Sequence, residues 1–123
     1  MSGESVERRF HGGLQAPAQA RRFVAGHLGN RPATAQHDIV LVVSELVTNS
    51  VQAGANLVDV HLTLSGSRVA LTVVDDASGW PASRRPGPED PRGRGLRIVQ
   101  ELADDWTVTA RDPGKEITVT WRI

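Results

Sequence analysis

The chain has 123 residues, no cysteine, and 14 basic residues balanced by 14 acidic ones. The length suits one domain with one core. The missing thiols exclude disulfides and thiolate metal centres, and the zero net charge argues against a broad electrostatic footprint for nucleic acid or an anionic membrane. Hydrophobic content of 39% and charged content of 23% are those of an ordinary water-soluble domain. No apolar run approaches the roughly 20 residues of a membrane helix. The opening "MSGESVERRF" lacks the apolar segment of a secretory signal, so a cytoplasmic address is expected.

Residues 1–13 are weakly patterned and read as a tail or an edge strand; residues 14–123 read as a single domain. "APAQARRFVAGHLGN" predicts a helix. Pro17 suits its first turn, Phe23, Val24 and Leu28 recur at helical spacing, and Gly29-Asn30 stop it. Pro32 opens a longer helix to about Ala53, with Gly54 as its stop. Two strands follow. In "LVDVHLTLS", Val58, Val60, Leu62 and Leu64 share one face, and in "RVALTVVD", Val69, Leu71 and Val73 do the same. "SGS" at 65–67 is the hairpin turn between them. "DASGWPASRRPGPEDPR", residues 76–92, holds four prolines and two glycines without apolar periodicity; a loop this long in a small domain is usually functional or disordered. "GRGLRIVQELADD" then predicts a helix with Leu96, Val99 and Ala103 inward. "DWTVTAR" and "EITVTWRI" are strands joined by "DPG", the second with Ile117, Val119, Trp121 and Ile123 on one face. Single-face alternation implies a largely antiparallel sheet with one side wet. Helices must cover the other side, giving an α+β two-layer sandwich.

Three places break this pattern. On the second helix, Ile39, Val42, Val43, Leu46, Ser50 and Ala53 form one stripe, and Asp38, Glu45, Asn49 and Gln52 group on its flank. Glu45 and Asn49, four apart, point the same way. A carboxylate there can serve as general base toward a hydroxyl, and an amide oxygen is a hard ligand suited to Mg²⁺. The same edge could simply meet solvent. Next, Asp75 has the strand parity of Val69, Leu71 and Val73, which turns an acid toward the covered face. Such a group needs a hydrogen-bond partner: a loop amide, or a ligand donor such as the exocyclic amine of adenine. Gly79 beyond it allows close backbone approach. Last, Gly93-Arg94-Gly95 precedes a helix, an arrangement that presents amides to anions, with Arg92, Arg94 and Arg97 adding positive charge. The histidines, 11, 27, 37 and 61, show no zinc-ligand spacing.

The order of the three breaks is more specific than each alone. Glu45-x-x-x-Asn49 on a helix, Asp75-x-Ala77-x-Gly79 at a strand end, a loop, and Gly93-x-Gly95 opening a helix resemble the N, G1 and G2 boxes of the GHKL superfamily of ATPases and kinases. Within it, "SELVTNSVQAGA" and "GRGLRIVQELADDW" are similar to the RsbW-like anti-sigma-factor serine kinases. The resemblance runs from about Leu14 to Trp121. It implies the Bergerat fold, with a mixed, mostly antiparallel sheet and helices on one face. It implies ATP and Mg²⁺ as cofactors, Glu45 as catalytic base and Asn49 as the metal ligand. Asp75, Ala77 and Gly79 would lie at the adenine, and Arg92, Gly93, Arg94, Gly95 and Leu96 at the phosphates, with residues 76–92 as the ATP lid. Ala77 stands where the family commonly carries glycine. The implied activity is protein-serine phosphorylation, with a sigma factor and an anti-anti-sigma (STAS) protein as partners, a homodimer as assembly, and no direct contact with nucleic acid or membrane. The rival reading is a nucleotide-binding regulatory module that acts by sequestering a protein.

Overall fold

The computed structural model describes residues 3–78 and 94–123. In chain order the elements are β1 (Glu4–His11), α1 (Ala16–Ala25), α2 (Ala33–Gln52), β2 (Leu57–Ser65), β3 (Arg68–Asp75), α3 (Arg94–Leu102), β4 (Asp105–Ala110) and β5 (Lys115–Arg122). The strands form one sheet in the order β1-β2-β3-β5-β4. Each of its described pairings is antiparallel.

Alternation does what it predicts. Val58, Val60, Leu62, Leu64, Val69, Leu71, Val73, Ile117, Val119 and Trp121 are all buried, because a period of two puts them on one pleat face. The opposite face is polar and wet. There the hydroxyl oxygens of Thr72 and Thr118 lie 3.0 Å apart across β3 and β5, and Arg9 meets Asp59 across β1 and β2 in a two-point contact at 2.8 and 3.1 Å. The helices cover the apolar face: α1 packs on α2 and β1, α2 on β3 and α3, and α3 on β4. This is the α+β sandwich that the pattern implies.

In α2, Ile39, Val42, Val43, Leu46, Val47 and Ser50 are fully buried. The helix ends at Gln52, and Gly54 follows with φ +95°, a left-handed value that glycine takes without a Cβ penalty. Helix α1 stops earlier than its pattern suggests, at Ala25, where Gly26 caps it through a bond from its N–H to the Arg22 carbonyl. Gly26 is a poor helix residue, and the chain needs the remaining four residues to turn at Gly29, φ +59°. Leu28 still reaches the core.

Candidate nucleotide site

Two strands and one helix meet at the inward end of β3. Asp75, the last residue of β3, pairs in register with Val58 on β2 and Lys115 on β5. Its parity turns the carboxylate into the helix layer, where the residue is 3% exposed. Three donors meet it. Ser50 of α2 gives its hydroxyl to Oδ2 at 2.5 Å, Lys115 gives its ammonium to the same oxygen at 2.5 Å, and the Ala77 amide bonds Oδ1 at 3.1 Å. The ammonium also lies 3.3 Å from the Ser50 hydroxyl. An acid buried this deeply is tolerated because it is paired and hydrogen-bonded.

The Ser50 bond fastens the last turns of α2 to the end of β3, and it thereby places the polar edge of that helix. Asn49, next to Ser50, is 5% exposed. Glu45 is half-buried one turn back, about 6 Å along the helix axis from Asn49. Arg94 and Gly95 form the first turn of α3, which packs against α2. The Leu96 side chain belongs to the core, 2% exposed, so what it offers an anion is its backbone amide. Gly79, Arg92, Gly93 and the lid beyond Ser78 lie outside the described residues.

Ala77 is fully buried. No described non-glycine residue has positive φ, so Ala77 takes its place in the turn without left-handed strain. A glycine is not needed for the turn to form.

The turn of the β4–β5 hairpin closes the site from below. Gly114 has φ +104°, and a Cβ built on it would sit 1.8 Å from the Asp75 carbonyl oxygen. The absent side chain lets the hairpin backbone lie against Asp75 and brings Lys115 to it.

Asp76 points elsewhere. Its Oδ1 accepts the amides of Asn56 at 2.8 Å and Leu57 at 3.0 Å, tying the α2–β2 connection to the end of β3. The Leu57 bond, followed by the Asn56 bond and the charge of Arg9, holds its carboxyl below the usual aspartate value. Asp59 in turn raises Arg9 through the bond between them.

Ser50 and Lys115 are the partners of Asp75 that pattern reading missed. Ser50 reads as a small member of an apolar stripe. Lys115 lies two residues before Ile117, so extending β5 by one residue would have turned it inward, opposite Asp75.

The donor set suits a purine nucleotide with magnesium. A carboxylate offers about four lone-pair positions; the three bonds above take three of them, and the side chain that carries the fourth is 0% exposed. No group of three or more His, Cys, Asp or Glu side chains that could hold a metal occurs among the described residues. Mg²⁺ takes few protein oxygens and completes its shell with phosphate and water; the Asn49 side chain carries one oxygen of that kind.

A two-layer sandwich of this topology, with an inward acid at one strand end and a polar edge on the covering helix, defines a Bergerat-type ATP-binding domain. Residues 14–121 match the histidine kinase-like ATPase domain family, and the chain belongs to that family, within the GHKL superfamily. The structure is similar to the RsbU and RsbW domains of a Mycobacterium tuberculosis protein, with a TM-score of 0.75 over 97% of this chain and 32% of that one, at 19% identity. It is also similar to the histidine kinase domain of a blue-light activated histidine kinase from Erythrobacter litoralis, with a TM-score of 0.62 at 25% identity, over 85% of this chain and 57% of that one. By sequence it is 39% identical over 66 residues to the DNA mismatch repair protein MutL of Rhodospirillum rubrum. It is 43% identical over 65 residues to MutL of Desulforamulus reducens. These stretches cover 54% and 53% of this chain and 9% of each MutL. Among the described residues, no helix is long and apolar enough to cross a membrane.

Proposed function

We propose that the chain is an ATP- and Mg²⁺-dependent protein-serine kinase of the anti-sigma type, cytoplasmic and dimeric, which holds a sigma factor and phosphorylates a STAS partner. The observation that supports this reading is the Ser50–Asp75 bond. It sets the Glu45/Asn49 edge of α2 beside a buried acid suited to an adenine amine. ATP with Mg²⁺ supplies the transferable phosphoryl group. Asp75 would accept the base amine, Asn49 would offer its amide oxygen to the metal, and the first amides of α3, from Arg94 on, would hold the phosphates. Glu45 takes the proton from the acceptor serine as its oxygen bonds to phosphorus and the bond to the departing ADP oxygen breaks. Positioning and charge stabilisation supply most of the rate in such transfers.

The test uses labelled ATP, Mg²⁺ and a cognate STAS protein, with Glu45→Ala alongside. Label should pass to a partner serine, and Glu45→Ala should slow transfer at least about a hundredfold. Undiminished transfer in that variant would remove Glu45 from the base role.

A second reading, a module that sequesters a partner without catalysis, is favoured by one observation: Lys115 already neutralises Asp75. Calorimetry separates the two. Binding of a sigma factor with no heat from Mg²⁺-ATP would support the module.

A further inference from the structure

Lys115 sits against Asp75, the acid read above as the acceptor of a base amine. Its side chain is 5% exposed and that of Asp75 is 0% exposed, so the acid is closed to any ligand while the ammonium keeps its place. The ammonium takes one oxygen of Asp75 and also reaches Ser50. It enters from β5, the strand beside β3, after a turn whose Gly114 lies close against the Asp75 backbone. We propose that Lys115 is the internal occupant of the base subsite and sets nucleotide affinity there: a purine amine gains Asp75 only by displacing the lysine ammonium.

This rests on the reading of Asp75 as the base acceptor. The exchange is unequal. The arriving amine is neutral and makes one bond, whereas the departing ammonium leaves a short charge-assisted contact, and such contacts are about twice as strong as neutral ones. Wild-type affinity for ATP is therefore reduced. Two consequences separate this from a merely structural lysine. The penalty falls on ligands that carry a base and spares inorganic triphosphate. It is also relieved when the ammonium is removed while side-chain length is kept.

The experiment measures binding of Mg²⁺-ATP and of Mg²⁺-tripolyphosphate by calorimetry. The full chain is compared with Lys115→Met, Lys115→Thr and Asp75→Asn, folding being checked by circular dichroism. In parallel, the wild-type lysine ammonium groups are followed by ¹⁵N NMR during an ATP titration. Lys115→Met should bind ATP about tenfold more tightly, with tripolyphosphate affinity unchanged and Asp75→Asn weakening ATP. The Lys115 ammonium signal, protected from exchange in the free chain, should lose that protection as ATP saturates. ATP binding that depends on Asp75 but is no tighter in the Lys115 variants, with the ammonium signal unmoved at saturation, overturns this inference alone. ATP binding indifferent to Asp75→Asn, or absent from wild type and both Lys115 variants, overturns the base-subsite reading and this one with it. If both Lys115 variants unfold, the ammonium signal decides.

Discussion

Replacing Asp75 by asparagine should destabilise the chain through a neighbour. The amide oxygen of asparagine can keep the bond from Ala77, now made to Asp75 Oδ1. The amide nitrogen then falls where Oδ2 was, facing the Lys115 ammonium 2.5 Å away. Two donors meet, and the lysine loses its short contact to a carboxylate while it stays buried. Removing one partner from a buried ion pair costs about 3–5 kcal/mol, and the burial of both side chains places this pair in that class. The companion change Lys115→Met costs less, since Ser50 and Ala77 still bond the carboxylate. The double variant removes both charges and should recover at least about 2 kcal/mol over Asp75→Asn alone. Urea unfolding followed by tryptophan fluorescence gives all four stabilities, and their cycle gives the coupling. A loss below about 1 kcal/mol for Asp75→Asn, or a double variant no more stable than Asp75→Asn, would refute the account of the pair.

Three other expectations can be checked with the same melts. Asp76 is held below its unfolded value by the Leu57 and Asn56 amides, so its contribution is present above the ordinary aspartate range and is lost as pH falls through the lower folded value. The wild-type chain should lose more stability than Asp76→Asn between about pH 5 and pH 2, measured as the difference between their midpoints. Gly114→Ala places a Cβ against the Asp75 carbonyl at a positive φ. It should cost upwards of about 2 kcal/mol and weaken ATP binding, whereas Gly54→Ala, whose Cβ would meet nothing, should cost only the backbone strain. Leu46→Ala, in the middle of the buried stripe, should cost about 2–5 kcal/mol while leaving the polar flank of α2 in place.

The layers were legible because β2, β3 and β5 alternate cleanly and α2 carries an unbroken stripe from Ile39 to Ala53. Asp75 was legible for the same reason, as an acid with the parity of Val73. What partners it was not. Ser50 is small enough to pass for a filler, and a lysine at a strand start looks like a solvated end until the register shows it opposite an inward acid. The early stop of α1 was hidden by Leu28, whose spacing continues the helical pattern although the residue reaches the core from a turn. Ala77 stands where the family commonly carries glycine, and the turn accepts it because its φ is not positive.

The sheet order has a consequence for how the protein is made. β5 lies between β3 and β4, and the contacts of Lys115 with Asp75 and Ser50 span 40 and 65 residues. A ribosome releases β3 long before β5. Through that interval the growing chain carries an unpaired strand edge, the kind of surface that recruits other strands, ending in an acid whose counter-charge has not yet been synthesised. The Asp75–Lys115 pair is therefore among the later contacts of the fold to form, and it cannot steady the end of β3 until residues 115–122 have emerged.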